Sequence, residues 1–328
     1  MPLKPRILSV APMIDWTDRH CRRFHRALTQ HTWLYTEMIT TGALIHGDRA
    51  RFLRFNPEEH LVAFQLGGSD PADLARCAAW VEQAGYDEVN LNCGCPSERV
   101  QKGAFGACLM AEPDLVAQCV DAMRQSCGID VTVKHRIGLD YDESPQLMFD
   151  FIGKVSEAGC KTFIVHARNA VLKGLSPKEN REIPPLRYAL VQRLKADFPD
   201  LQIILNGGIK TIEDIHQHLE WADGCMIGRE AYTNPWLLTR FDSVSEGGAI
   251  SEVGSRAEVL QSLRSYVESE LAQGESLRNL TRSWLGIYHG QPGGRLFRQV
   301  LSDATRLKTN RWSVVEEAIA CTADKQFA

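Results

Sequence analysis

The sequence has no Cys-x-x-Cys pair and no cysteine–histidine spacing of the zinc type, although it holds ten cysteines in 328 residues. A bound metal is therefore not expected. Nor do the cysteines make the close-set framework of a small secreted domain. Cys77 and Cys119 fall on apolar helix faces, where a reduced thiol packs as a small hydrophobe, and a cytoplasmic setting is expected. No apolar run approaches the roughly 18 residues of a membrane span, and Met1-Pro-Leu-Lys-Pro5 is not of signal-peptide type. The Gly-x-Gly-x-x-Gly turn of a doubly wound dinucleotide sheet is missing too. A net charge of −4 gives no global basic bias toward nucleic acid, though a basic face can hide in a balanced total.

What is present is strand–helix alternation. Runs of strand character recur at 7–13, 33–38, 61–67, 88–93, 130–136, 162–168, 202–207 and 224–229. Between them, Asp70-Pro71, Glu112-Pro113 and Ser144-Pro145 each place proline at a helix start, and Thr211 with Asp214 resembles a capping box. Such alternation argues for parallel strands. Eight units fit an α/β fold of the (β/α)8 TIM-barrel type better than an open sheet lacking its nucleotide turn. The widest gaps, 88–130 and 162–202, leave room for long loops at the barrel mouth.

The strand ends are polar where barrel interiors are usually branched and apolar. In order they carry Pro12-Met13, Glu37, Gln65, Asn92 with Cys95, Lys134 with His135 and Arg136, His166 with Arg168, Asn206-Gly207-Gly208, and Gly228-Arg229. Any one of them alone is readily a satisfied buried polar residue. Seven strands doing so together points to a site. The glycines and Arg229 of the last two strands suit a phosphate, which commonly sits there in barrels; two tight left-handed turns with a surface arginine are the alternative. With Gln65 for the uracil-like edge and Lys134 for an anionic reduced ring, flavin mononucleotide (FMN) fits. Lys134 as a Schiff-base lysine is the rival, although an aldolase has no need of a thiol at strand four.

Beyond residue 241 the texture changes. A Ser/Gly-rich stretch to 251 reads as a linker, and from Ser255 the pattern is helical, with apolar stripes at Val259, Leu260, Leu263, Tyr266 and Val267 and at Leu277, Leu280, Trp284, Leu285 and Tyr288. A barrel over 1–242 and a small helical bundle over 251–328 are expected. Between residues 278 and 311 seven basic residues stand against Asp303 alone. Arg295 and Arg298, three apart, share a helix face and can reach phosphate, although a solvated face is the ordinary reading of such a run.

Taken together, Ala11-Pro-Met-Ile-Asp-Trp-Thr-Asp-Arg-His-Cys-Arg22, Asn90-Leu-Asn-Cys-Gly-Cys-Pro-Ser97, Val133-Lys-His-Arg136, Val165-His-Ala-Arg168, Leu205-Asn-Gly-Gly208 and Ile227-Gly-Arg229 resemble the tRNA-dihydrouridine synthases, flavin enzymes that reduce uridines in tRNA. The stretch 175–188 is similar to the A-type subfamily, which acts at D-loop positions 20 and 20a. The resemblance spans the chain. It implies that Cys95 is the proton donor, with Cys93 a neighbour in the turn. It assigns Pro12, Met13, Gln65, Lys134, His166, Asn206, Gly207, Gly208, Gly228 and Arg229 to FMN, Asn92 to the substrate base, and Lys178, Arg181, Arg295 and Arg298 to tRNA. NADPH is the implied reductant, tRNA the implied partner, and no obligate protein partner or membrane is implied. A thiol with a pKa near 8.5 holds its proton at pH 7, and an anionic flavin nearby should keep it there; a thiolate nucleophile would want a cationic neighbour. Two rival functions remain open. A small-molecule flavin oxidoreductase of the dihydroorotate dehydrogenase type leaves the arginine-rich bundle without a purpose, and a non-catalytic tRNA-binding protein leaves Cys95 and Lys134 idle. Gly103-Ala-Phe-Gly106 is expected as a lid.

Overall fold

Eight short strands, each followed by helical chain, close on themselves: β1 (Leu8–Val10), β2 (Trp33–Thr40), β3 (Val62–Gly67), β4 (Glu88–Cys93), β5 (Asp130–Arg136), β6 (Thr162–His166), β7 (Gln202–Asn206) and β8 (Gly224–Ile227). All pairs are parallel, and β8 returns to β1 to complete a (β/α)8 barrel. The structure, a computed structural model, describes residues 5–97, 103–245 and 253–324. The part of the expected linker from 246 to 251 and the first four residues lie outside that description.

Strand limits follow the sequence to within two residues at either end, except for β1. β1 has three residues instead of the seven expected, because Pro12 has no N–H for the ladder; the last bond is Ala11 N to Ile227 O at 2.8 Å. Helix starts also hold. Asp70 caps helix Pro71–Gln83 by accepting from Asp73 N, and Thr211 and Asp214 form the reciprocal box expected of them. Pro145 stands at the cap of helix Gln146–Glu157 rather than inside its first turn.

Side-chain alternation divides the strands into an outward set beneath the helices and an inward set. Ala11, Trp33, Tyr35, Ala63, Ile164, Ile204 and Met226 form one buried apolar cluster inside the barrel. On β3 to β5 the inward positions beyond Ala63 include Gln65, Glu88, Asn90, Asn92, Thr132 and Lys134, all but the lysine buried.

The chain forms two compact units, Met1–Ile14 with Trp33–Phe55 and His60–Gly228, and Asp15–Thr32 with Asn56–Glu59 and Arg229–Ala328. The second unit therefore takes in the helix Arg19–Arg26 that follows β1, and it begins at Arg229, ahead of the break expected at 242. Buried polar contacts explain this. Arg19 pairs with Glu270, Arg22 with Glu59 at 2.6 Å, Arg282 with Asp18 at 2.6 Å, and His20 Nδ1 meets Tyr266 Oη at 2.6 Å. Asp242, expected to open a linker, is buried in helix Phe241–Ser245 and accepts from Thr29 Oγ1, Gln30 N and His31 N. The remaining helices are short and carry the expected stripes, with Val259, Leu260, Leu263, Val267, Leu277, Leu280, Trp284 and Tyr288 buried.

Candidate active site

β4 ends in the turn that carries Cys95. Asn92, the last inward residue of the strand, accepts from Gly94 N at 3.1 Å and Cys95 N at 3.0 Å through Oδ1, so one side-chain amide holds the turn closed. Arg136 braces it from β5, donating from Nε to Gly94 O at 3.2 Å. On the far side Ala107 N donates to Cys95 O at 2.9 Å, where the 3-10 helix Gly106–Ala111 begins. The stretch expected as a lid thus ends in a buried shoulder of the thiol turn at Gly106.

Two causes oppose each other at the Cys95 thiol. Burial pushes its pKa up; a backbone hydrogen bond at Ser97 and the charges of Arg136, Arg181 and Lys134 pull it down, and burial wins. The cationic neighbours that a thiolate would want are present. They are outweighed, so the sulfur keeps its proton at neutral pH. Cys93 is not a neighbour in the turn. It closes β4 on the outward face, fully buried, with Cys108, Cys119 and Cys160 as the thiols nearest to it in electrostatic effect.

Around the thiol the barrel mouth is cationic. Lys134 Nζ donates to Asn206 Oδ1 at 3.0 Å, and Asn206 Nδ2 donates to Met226 O at 2.7 Å. Burial and then Arg136 hold Lys134 down to about 7. Arg136 donates to the carbonyls of Asn169 at 3.1 Å and Asn180 at 2.8 Å and is itself pulled down to about 10, chiefly by burial. His166 is kept neutral by burial and by Arg136, Lys134, Arg168 and Arg181. No carboxylate acts on any of these groups among the described residues. A basin of this kind wants an anion.

The glycines at the mouth divide into two kinds. Gly207 and Gly208 have φ of +113° and +75°, and a Cβ on either would meet His166, Leu186 or Tyr188 within 2.7 Å. Their identity is required by the protein alone. Gly228 has neither constraint: an added Cβ would meet only Ala11 Cβ, at 4.0 Å. A bare backbone facing open space suits a ligand that comes close to it.

The dihydrouridine synthase profile matches residues 9–324. A protein of Pseudomonas aeruginosa named tRNA-dihydrouridine(20/20a) synthase is 56% identical over 320 residues, covering 98% of this chain and 96% of its own. Proteins of the same name from Pseudomonas syringae pv. tomato and Vibrio cholerae are 58% and 54% identical, covering 90% and 95% of this chain and 88% and 95% of their own. This chain belongs to the dihydrouridine synthase family.

Within this member of the family, Gln65, Asn92, Cys95, Lys134 and Asn206 are joined through the contacts of β3, β4, β5 and β7: Asn92 Nδ2 donates to Gln65 Oε1 at 2.8 Å, and Lys134 pairs in register with Asn92. His166 pairs in register with Asn206, and its ring faces Gly207. Pro12 and Met13 lie half-buried just past β1. Lys178 and Arg181 are exposed on the loop after β6, at the 3-10 turn Glu179–Arg181. Arg229 belongs to the second unit, as do Arg295 and Arg298, which are exposed on helix Gly294–Val300 opposite buried Phe297. Among the described residues no hydrogen bond or ion pair engages Arg295 or Arg298, whereas Arg282 and Arg306 of the same basic run are paired with Asp18 and Glu317. His135, expected among the strand-end residues, points outward and packs against Phe151 and Phe163. Arg136 was legible only as a strand end; sharing a face with Lys134 is the signal that would have placed it at the thiol.

Proposed function

We propose that this enzyme reduces uridine to 5,6-dihydrouridine in the D-loop of tRNA, at positions 20 and 20a, with FMN as its bound cofactor and NADPH as the reductant. The observation that carries the reading is the Cys95 thiol, partly exposed at the barrel mouth and kept protonated by burial against the pull of Arg136, Arg181 and Lys134. The names of the similar Pseudomonas and Vibrio proteins support the same substrate. A tRNA substrate places the work in the cytoplasm.

When bound, FMN supplies the hydride that adds at C6 of the uracil ring. Cys95 holds at Sγ the proton that C5 then takes, and Asn92 keeps the turn so that the sulfur stays at the strand end. Lys134, about half protonated near pH 7 in the free protein, holds positive charge against an anionic ring. Asn206 orients Lys134 through its oxygen. Pro12, Met13, Gln65 and His166 would also hold the flavin, and Gly207, Gly208, Gly228 and Arg229 would take its phosphate. The barrel carries the flavin chemistry, and the helices of 251–328 carry tRNA. Lys178 and Arg181 on one unit, and Arg295 and Arg298 on the other, meet RNA phosphates, so binding weakens with salt. The target base leaves its stack to reach the thiol.

The exposed guanidiniums of Arg295 and Arg298, with no side-chain partner among the described residues, favour RNA over a small-molecule substrate. The deciding experiment supplies the purified yellow protein and NADPH to unmodified tRNA and maps the reduced uridines by mass spectrometry. Dihydrouridine at 20 and 20a is expected; a colourless protein, or tRNA with every uridine intact, overturns the reading.

A further inference from the structure

The polar residues on the inward face of β3 to β5 form one unbroken line of hydrogen bonds. At the N-terminal end of the barrel Glu88 accepts from Arg6 Nε at 2.7 Å, Tyr35 Oη at 2.7 Å and Thr132 Oγ1 at 2.5 Å. Thr132 Oγ1 accepts from Asn90 Nδ2 at 2.7 Å, and Asn90 Oδ1 accepts from Gln65 Nε2 at 2.7 Å. Gln65 Oε1 accepts from Asn92 Nδ2 at 2.8 Å, and Asn92 Oδ1 takes the N–H groups of Gly94 and Cys95. Glu88, Asn90, Gln65 and Thr132 are each at most 1% exposed, so no solvent competes along the line.

The sense of this line is fixed from both ends. A carboxylate paired with Arg6 only accepts, so Thr132 must donate to it and receive from Asn90. Backbone N–H groups only donate, so Asn92 must turn its oxygen to Cys95 and its nitrogen to Gln65. Every amide between obeys both demands at once. Reversing any one of them sets donor against donor along the line, and at its top would put Asn92 Nδ2 against two N–H groups, opening the turn that holds the sulfur.

We infer that Glu88, Thr132 and Asn90 are positioning residues for Cys95: a carboxylate at the barrel floor orients a file of amides whose last member holds the thiol turn. This rests on the reading of Cys95 as proton donor. None of the three touches the sulfur, and they act through Gln65 and Asn92.

Thr132→Val keeps the volume of the side chain and removes its hydroxyl, leaving Asn90 Nδ2 without its acceptor. Thr132→Ser keeps the hydroxyl. In the holoenzyme, Thr132→Val should slow reoxidation of the reduced flavin by tRNA about tenfold while reduction by NADPH stays within about twofold. Thr132→Ser should match wild type in both. A second readout needs neither RNA nor turnover: the rate at which iodoacetamide alkylates Cys95, followed by peptide mass spectrometry, should change severalfold in Thr132→Val and not in Thr132→Ser. Asn90→Leu cuts the line one residue higher and serves where Thr132→Val does not accumulate; it carries the same expectations. Tyr35→Phe removes a hydrogen bond to Glu88 that lies off the line and should leave Cys95 alkylation unchanged.

Wild-type reoxidation and alkylation in Thr132→Val overturn the inference. So does equal impairment by Thr132→Ser, or equal slowing of both half-reactions, since either marks a packing defect. If Cys95→Ala abolishes uridine reduction while Thr132→Val has no effect, the line fails and the proton donor stands. If Cys95→Ala is fully active, the donor reading fails whatever the alkylation rates report.

Discussion

From β6 through β8 and round to β1, the middle layer of the barrel interior is apolar, with Ile164, Ile204, Met226 and Ala11, and Thr162, Gln202, His166 and Asn206 stand above and below it; from β3 to β5 a carboxylate, a hydroxyl and three amides run the length of the wall beside Ala63. The apolar side has no directional preference, and its value is area removed from water. Little free energy separates buried amides from well-packed apolar residues of the same shape, but each amide has one acceptable orientation. One half of the interior holds the barrel together, and the other half aims a sulfur atom. Placing both in one closed sheet means that the aiming device rests on a wall hydrogen-bonded on both sides of every strand.

The comparison makes predictions that differ in kind on the two sides. The largest effect belongs to the end of the polar file: Cys95→Ala should lower uridine reduction by about 10²–10⁴-fold while the flavin is still reduced by NADPH at the wild-type rate, as read by stopped-flow absorbance. Undiminished turnover would remove the purpose of the whole polar half. On the apolar side, Ile204→Ala should cost about 2–5 kcal/mol of unfolding free energy, measured by urea titration, with Cys95 alkylation unaltered. A thiol disturbed as much by Ile204→Ala as by Thr132→Val would erase the distinction between the halves.

The smallest effect concerns protons at Lys134. Its folded value of about 7 lies below the ordinary lysine value because burial and Arg136 disfavour the charge. At pH 8 the amine of the cofactor-free protein is therefore largely neutral. An anion placed beside it raises that value, and the reduced ring is such an anion, so binding reduced FMN at pH 8 without oxygen should take up close to one proton. Calorimetry in buffers of different ionisation enthalpy reads this directly. Lys134→Met should abolish the uptake, and an identical buffer dependence in the variant would assign the proton elsewhere.

The barrel was legible because helix punctuation is local: Asp70-Pro71 and the Thr211–Asp214 box announce their helices without help from the rest of the chain. The thiol turn was legible for the same reason. The floor of the site was not. Glu88, Asn90 and Asn92 alternate with Val89, Leu91 and Cys93, a pattern that in isolation describes a strand with one wet face. Only closure of the sheet turns that face inward, and only then do Thr132 and Gln65 arrive from neighbouring strands to satisfy it. Applied strictly, the same alternation would have sent His135 outward and paired Arg136 with Lys134. Membership of the helix Arg19–Arg26 was hidden too, because its partners Glu270, Tyr266 and Arg282 are some 250 residues away in the chain.

That last arrangement limits how the molecule can be dismantled. Because the helical unit is assembled from three separated stretches, cutting the chain near residue 250 does not remove a tail; it strips Arg19 of its carboxylate and His20 of its phenol. Transplanting the unit onto another scaffold must bring residues 15–32 and 56–59 along with the C-terminal helices.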